Sequence, residues 1–207
     1  MVFEIKSIKN NKLNKIYEDS MKEFGSFFEL DWKDNRPNII IVPDRRTIDL
    51  LKGTKTENWL VGWTNGTDVY ILDYRNYEKE SAHEYSDEEY TALIKHEIAH
   101  CFSNIISGFS KAPIWLLEGI SIFLSGQNKF KTKPKKFSNF IDFYDKFSKE
   151  VYCESGFVVE FLVKTYGKEK LLKLLKGIKN IESKEDFASL FKSIYKFDLE
   201  YKNFKIF

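Results

Sequence analysis

Residues 86–107, SDEEYTALIKHEIAHCFSNIIS, decide the fold, because they predict a long helix carrying two of the three histidines of the chain. Ser86 and Glu89 have the spacing of a capping box, in which each side chain satisfies a backbone N–H group of the other residue. From Asp87 onward the pattern is helical, and Gly108 supplies a stop signal. The helix is therefore expected to run from about Asp87 to about Ser107.

The predicted helix contains the sequence His96-Glu97-Ile98-Ala99-His100. Positions four apart lie about 40° apart around a helix and about 6 Å apart along it, so both imidazoles can converge on one metal ion. Glu97 is poorly placed to be a third ligand but can reach a water molecule bound to that ion, which is the task of a general base. A chance spacing, or a histidine pair with a structural role, is the alternative interpretation.

A catalytic zinc site takes three ligands from the protein, and Glu118 is the best candidate for the third. It lies in residues 113–119, PIWLLEG, within a second predicted helix that begins at Pro113 and runs through Leu124 to a stop at Gly126. Its neighbours are almost all apolar, so its carboxylate needs a cation or hydrogen bonds to be stable there. A salt bridge to a lysine is the alternative to a metal ion.

Other potential ligands fit less well. His83 lies in an acidic loop before the helix and is expected at the surface. Cys101 is rotated about 100° from His100 on the helix, so a buried structural thiol is expected. Cys153 is also expected to pack internally, and two cysteines do not form a disulfide framework.

The rest of the chain predicts an α+β fold with a small N-terminal sheet and a helical C-terminal part. Asn65-Gly66 between two apolar runs predicts a hairpin, because both residues tolerate positive φ. We expect one domain, 1–207, with an α/β part at 1–85, metal-site helices at 86–126 and a helical lobe at 137–207. The predicted strands are 38–42, 59–63 and 68–73, and the further predicted helices are 8–30, 46–51, 137–149, 151–166, 168–176 and 184–196.

The two motifs together resemble the glutamate-zincin (gluzincin) branch of the zinc metallopeptidases. Residues 113–119 are especially similar to the P-x-W-L-x-E-G pattern of peptidase MA-like domains, and the weaker likeness extends over about residues 59–200. The resemblance implies a zincin-like fold, with a twisted antiparallel or mixed sheet whose edge strand borders the cleft. We assign that edge to Val69–Leu72. It also implies one Zn²⁺ per chain, held by His96, His100 and Glu118.

The resemblance further implies that Tyr152 donates a hydrogen bond to the oxyanion formed during hydrolysis, whereas the simpler interpretation of this residue is core packing. In one respect the chain departs from thermolysin-like enzymes. They place an acidic residue four positions after the glutamate ligand to orient a histidine, and Ile122 stands there in this chain.

Composition limits the other classes of function. The net charge is +2, from 33 basic and 31 acidic residues that are mixed along the chain, so no nucleic-acid partner is expected. The run Lys131–Lys136 is interpreted as a solvated loop, with an anionic partner or a membrane surface as the alternative. Neither a signal peptide nor a transmembrane segment is recognised, and a cytoplasmic location without a membrane partner is expected.

The sequence therefore predicts a zinc-dependent metallopeptidase that acts on a peptide or protein substrate, with Glu97 as the general base. Two alternatives stay open. One is a zinc-binding regulatory or interaction module without turnover, and the other is a zinc hydrolase of another amide or an ester.

Overall fold

The computed structural model of the protein describes residue 4 and residues 6–206. The prediction about a signal peptide used residues 1–9, several of which lie outside the described residues. The helices are α1 (Asn11–Phe28), α2 (Arg45–Lys52), α3 (Tyr77–Glu80), α4 (Asp87–Ile106), α5 (Ile114–Ser125), α6 (Val151–Tyr166), α7 (Lys168–Gly177) and α8 (Lys184–Tyr195), and the strands are β1 (Asn38–Val42), β2 (Gly62–Asn65) and β3 (Asp68–Leu72). The architecture is a helix-rich α+β fold with a small mixed sheet, as expected.

The three strands are ordered β1-β3-β2. β1 runs parallel to β3 in the register Ile39 to Val69, and β2 runs antiparallel to β3 in the register Trp63 to Tyr70. Because β1 pairs with the second side of β3, residues Val69–Leu72 lie in the centre of the sheet, and their assignment to the edge was wrong. β2 is the edge strand beside α4.

The hairpin between β2 and β3 was predicted correctly, but its turn lies one residue further along. Asn65 still pairs with Asp68 as a strand residue, so Gly66 and Thr67 form the two-residue connection. Gly66 has φ of +63°, a left-handed conformation that glycine adopts without the steric cost of a Cβ atom. Positive φ is thus needed at Gly66 but not at Asn65.

Helix α4 is the centre of the core. The hydroxyl of Ser86 accepts a hydrogen bond of 3.1 Å from the backbone N–H of Glu89, which confirms the predicted helix start. On one side α4 packs against α1, where the Phe102 ring stacks on Phe28 at 5.5 Å and meets Phe24 edge-on at 6.0 Å. On another side α4 packs extensively against α5, which brings the two predicted ligand helices together.

Helices α5 and α6 are in close contact because each contributes a glycine. A Cβ atom at Gly119 would lie 2.5 Å from the carbonyl oxygen of Ser155, and one at Gly156 would lie 2.3 Å from Cγ2 of Ile122. Both separations are too short for a real side chain, so the helix backbones approach as closely as they do only because both positions are glycine. The contact fixes the start of α6 beside the centre of α5.

The predicted helix 137–149 was wrong. This segment is mostly irregular, with a short 3₁₀ turn at Phe140–Asp142. The buried carboxylate of Glu154 accepts hydrogen bonds from the backbone N–H groups of Ser138, Asn139 and Phe140 at 2.9–3.1 Å. These backbone N–H groups therefore donate to a side chain of α6 rather than to carbonyl oxygens of a helix of their own. Across the described residues, no helix is both long enough and apolar enough to cross a membrane.

Candidate metal centre

Helices α4 and α5 bring the three predicted ligands together. Nε2 of His96 and Nε2 of His100 are 3.0 Å apart, and each lies 3.4 Å from Oε2 of Glu118. The donor atoms of these three residues all lie within 4.8 Å of one another. The two histidines, four residues apart on α4, thus face the turn of α5 that carries Glu118.

The donor set fits a zinc ion. Two imidazoles and one carboxylate are ligands that zinc takes in catalytic sites. Within the described chain, no hydrogen bond satisfies the buried Oε2 of Glu118 or the buried Nδ1 of His96. An orphaned buried carboxylate oxygen is costly, and a cation among the three donors removes that cost. Nδ1 of His96 lacks the orienting acidic residue, in agreement with Ile122 at the expected position.

The charges of the three residues are strongly coupled. Burial alone would raise the pKa of Glu118, but the two histidines hold it well below its usual range. Burial would lower the pKa of His100, but the negative charges of Glu118 and Glu97 raise that pKa above its usual value. The site therefore already favours a cation beside the carboxylate of Glu118.

Glu97 lies beside this cluster and is buried, with 6% of its surface exposed. Burial raises its pKa, although the charges of His96 and His100 oppose the change. Its Oε1 faces the edge strand, since a Cβ atom added to Gly62 would lie only 3.1 Å away. A carboxylate with a raised pKa beside a group of potential metal ligands has a property that a general base requires.

Tyr152 lies in the first turn of α6, and its ring centroid is 6.4 Å from that of His96. Burial, together with the negative charges of Glu118 and Glu97, raises its pKa strongly, so the phenol stays protonated and can donate a hydrogen bond. The fold thus places Tyr152 in the neighbourhood of the three ligands. Its position agrees with the role implied by resemblance without testing it.

The remaining histidine and the two cysteines lie outside the cluster. His83 is exposed, and its Nε2 lies 2.9 Å from the carbonyl oxygen of Trp59, so the surface interpretation is confirmed. Cys101 is a buried free thiol whose pKa burial raises to about 12, as expected for a structural residue. Cys153 is exposed, so the expectation that it packs internally was wrong.

Several neighbours of the centre were not singled out from the sequence. Trp59, before β2, stacks on Phe147 at 6.2 Å, and Phe147 meets Tyr152 edge-on at 5.9 Å. These rings form an aromatic row from the sheet to the start of α6. Lys131 had been included in a solvated run, but it is half-buried and its Nζ lies 5.5 Å from the centroid of the Tyr152 ring. The aromatic content was a signal for such a row, but no local pattern identified its members.

Comparisons with protein-family models, curated proteins and solved structures found no match to this chain.

Proposed function

We propose that this chain is a zinc-dependent peptidase of the gluzincin type, with one Zn²⁺ held by His96, His100 and Glu118. The observation that carries the proposal is the convergence of these donor atoms within 4.8 Å, beside the buried carboxylate of Glu97. A zinc-binding module without turnover needs the ligands but has no use for that carboxylate. The zincin-like fold and the cytoplasmic location are parts of the same proposal.

Zinc held by these ligands would supply Lewis acidity, which polarises a carbonyl group and lowers the pKa of a water molecule. Glu97 takes a proton from the attacking water and delivers it to the amine that leaves. Burial raises the pKa of Glu97, which favours its carriage of the proton between the two transfers. Tyr152 donates a hydrogen bond to the oxyanion, because burial raises the pKa of its phenol and so favours the protonated form.

The edge strand β2 orients the substrate. Its second side is unpaired within the described sheet, so an extended peptide can add backbone hydrogen bonds there. Gly62 brings this strand against Glu97, and a side chain at that position would crowd Oε1. A peptide on β2 would therefore lie next to the general base.

The test compares the zinc-loaded protein with its Glu97→Gln variant on a proteome-derived peptide library, with cleavage products read by mass spectrometry. We expect the wild type to cleave peptide bonds and the variant to lose at least about 100-fold in rate while binding the same amount of zinc. Glu88→Gln is the matched control, since Glu88 is exposed on the same helix and its carboxylate forms an ion pair with Lys129 at 3.4 Å.

Three results would contradict the proposal. Full cleavage by Glu97→Gln would remove Glu97 from its role as base. Zinc binding with no cleavage of any peptide would favour the binding module, and hydrolysis confined to ester or non-peptide amide substrates would favour the other hydrolase.

A further inference from the structure

Lys131 is a cation in the wall of the metal centre. It follows the 3₁₀ segment Gln127–Phe130, and its ammonium group lies 5.5 Å from the centroid of the Tyr152 ring. That ring in turn lies 6.4 Å from the His96 ring. Burial lowers the pKa of Lys131, and the charges of Cys153 and Glu118 oppose that change.

The ammonium group of Lys131 has no anionic partner among residues 4 and 6–206, in either an ion pair or a hydrogen bond. Lys129, two residues earlier, does have one, because its Nζ lies 3.4 Å from Oε2 of Glu88. A half-buried ammonium group loses hydration, and its contact with an aromatic face returns only part of that loss. An anion that bound to Lys131 would complete its coordination.

The carboxylates of the centre do not fill this role. Glu118 directs its Oε2 to the two imidazoles at 3.4 Å. In the proposed function, the charges of Glu97 and Glu118 are together matched by one divalent ion, so the charge of Lys131 is left in excess. Lys52 adds a second cation, held over the Trp63 ring of β2 at 4.7 Å and close enough for the charge of Glu97 to act on it.

We propose that Lys131 binds a carboxylate of the substrate near the scissile bond, so that the site selects acidic peptides. This inference rests on the proposed function for the presence of a substrate cleft. The carboxylate can come from an aspartate or glutamate side chain or from the C-terminus of the peptide, and the chemistry at the ammonium group is the same. In a purely structural role, the ammonium group would only cover the Tyr152 ring.

The experiment measures binding without turnover, using the zinc-loaded Glu97→Gln variant as the immobilised protein. Three peptide pools of identical design are offered: blocked peptides with glutamate at the varied positions, blocked peptides with glutamine there, and the glutamine pool with a free C-terminal carboxylate. Retained peptides are quantified by mass spectrometry. The same measurement is repeated after adding Lys131→Met, and with Lys133→Met as a control, since Lys133 is exposed in the same loop.

We expect at least one carboxylate-bearing pool to be retained about ten-fold or more above the blocked glutamine pool, as a charge-assisted hydrogen bond allows. Lys131→Met should abolish that ratio, and Lys133→Met should leave it unchanged. The pool that shows the preference identifies the side chain or the terminus as the source of the carboxylate. Zinc content, measured in each variant, should stay constant.

Equal retention of all three pools, or an acidic preference that survives Lys131→Met, would overturn the proposal. Its failure can be told apart from failure of the proposed function. Cleavage by the protein with Glu97 intact, but without charge preference, would leave the peptidase and remove the carboxylate site. Charge-selective binding without any cleavage would support the carboxylate site and remove the peptidase function.

Discussion

In the proposed zinc site, removal of Glu118 should abolish most of the stabilisation that bound zinc would give to this protein. The three donor atoms already lie within 4.8 Å of one another, so the ion would bind the folded chain with little rearrangement. A ligand that binds only the folded state, and is present at a concentration 1,000 times its dissociation constant, stabilises that state by about 4.1 kcal/mol. For a chain of this size, that free energy corresponds to a rise in Tm of about 8–16 °C.

The Glu118→Ala variant keeps the two histidines and loses the only carboxylate of the set. Loss of a partner that merely orients a ligand typically costs 10- to 100-fold in metal affinity, so loss of a ligand should cost on the order of 100-fold or more. At the same zinc concentration, the stabilisation would then fall to about 1.4 kcal/mol and the rise in Tm to about 3–6 °C.

The assay is thermal unfolding followed by circular dichroism, with excess chelator or with zinc at a fixed concentration and pH. The quantity compared is the zinc-dependent rise in Tm, because loss of Glu118 also changes the metal-free protein, in which the two histidines pair with it. Glu88→Ala, an exposed carboxylate on α4, should show the full rise. An equal rise in Glu118→Ala and Glu88→Ala would refute the assignment of Glu118 as a ligand.

Two further predictions concern Tyr152 and Asp73. Under the proposed function, Tyr152→Phe should lower kcat about 100- to 1,000-fold in a peptide-cleavage assay while zinc content stays at one per chain, because the substitution removes only the proposed oxyanion donor. Asp73 is buried, and although burial alone would raise its pKa, hydrogen bonds from Arg75 at 2.5–3.1 Å lower it. A lowered folded-state pKa stabilises the protein above the ordinary aspartate pKa and ceases to do so as the pH falls through the folded value. In urea unfolding of the metal-free protein, Asp73→Asn should therefore cost about 1–2 kcal/mol at pH 7 and much less near pH 3.

Each of these two predictions has its own control. Tyr195→Phe removes another buried phenol, on α8, and should leave kcat unchanged; an equal loss in both variants would indicate a general effect of losing a hydroxyl. For Asp73, a free-energy difference that stayed constant between pH 7 and pH 3 would show that its charge does not contribute.

Helices α4 and α5, which carry the candidate ligands, could be predicted from the sequence because their signals are local. The histidine spacing, the Ser86 cap and the stop at Gly126 are each decided within a few residues, and α4 and α5 have nearly the predicted bounds. The hairpin was found for the same reason, since adjacent strands need only a turn with one glycine at positive φ. Its apolar neighbours made Glu118 the best candidate to join the two histidines, with a salt bridge to a lysine as the alternative, and the structure places its Oε2 3.4 Å from both imidazoles.

The features that sequence reasoning missed depend on contacts between residues that are far apart in the chain. β3 is central rather than at the edge because β1, about 30 residues earlier by the register Ile39 to Val69, pairs with its other side. The loop after residue 136 is not a helix because Glu154, from α6, binds its N–H groups. Lys131 belongs to a basic run in the sequence, but its Nζ lies 5.5 Å from the centroid of the Tyr152 ring, a contact that sequence periodicity does not reveal.

The glycine contact between α5 and α6 has a mechanical consequence for the centre. With Gly119 against the backbone carbonyl of Ser155 and Gly156 against the side chain of Ile122, the two helices are tightly packed where they cross, which leaves little space for one to shift against the other. Glu118 and Tyr152 therefore belong to one rigid pair of helices, α5 and α6. His96, Glu97 and His100 belong to α4. A metal ion bound by Glu118 and the two histidines would link the α5–α6 pair to α4. Its release would remove that link and allow Glu118 and Tyr152 to shift together relative to the histidines.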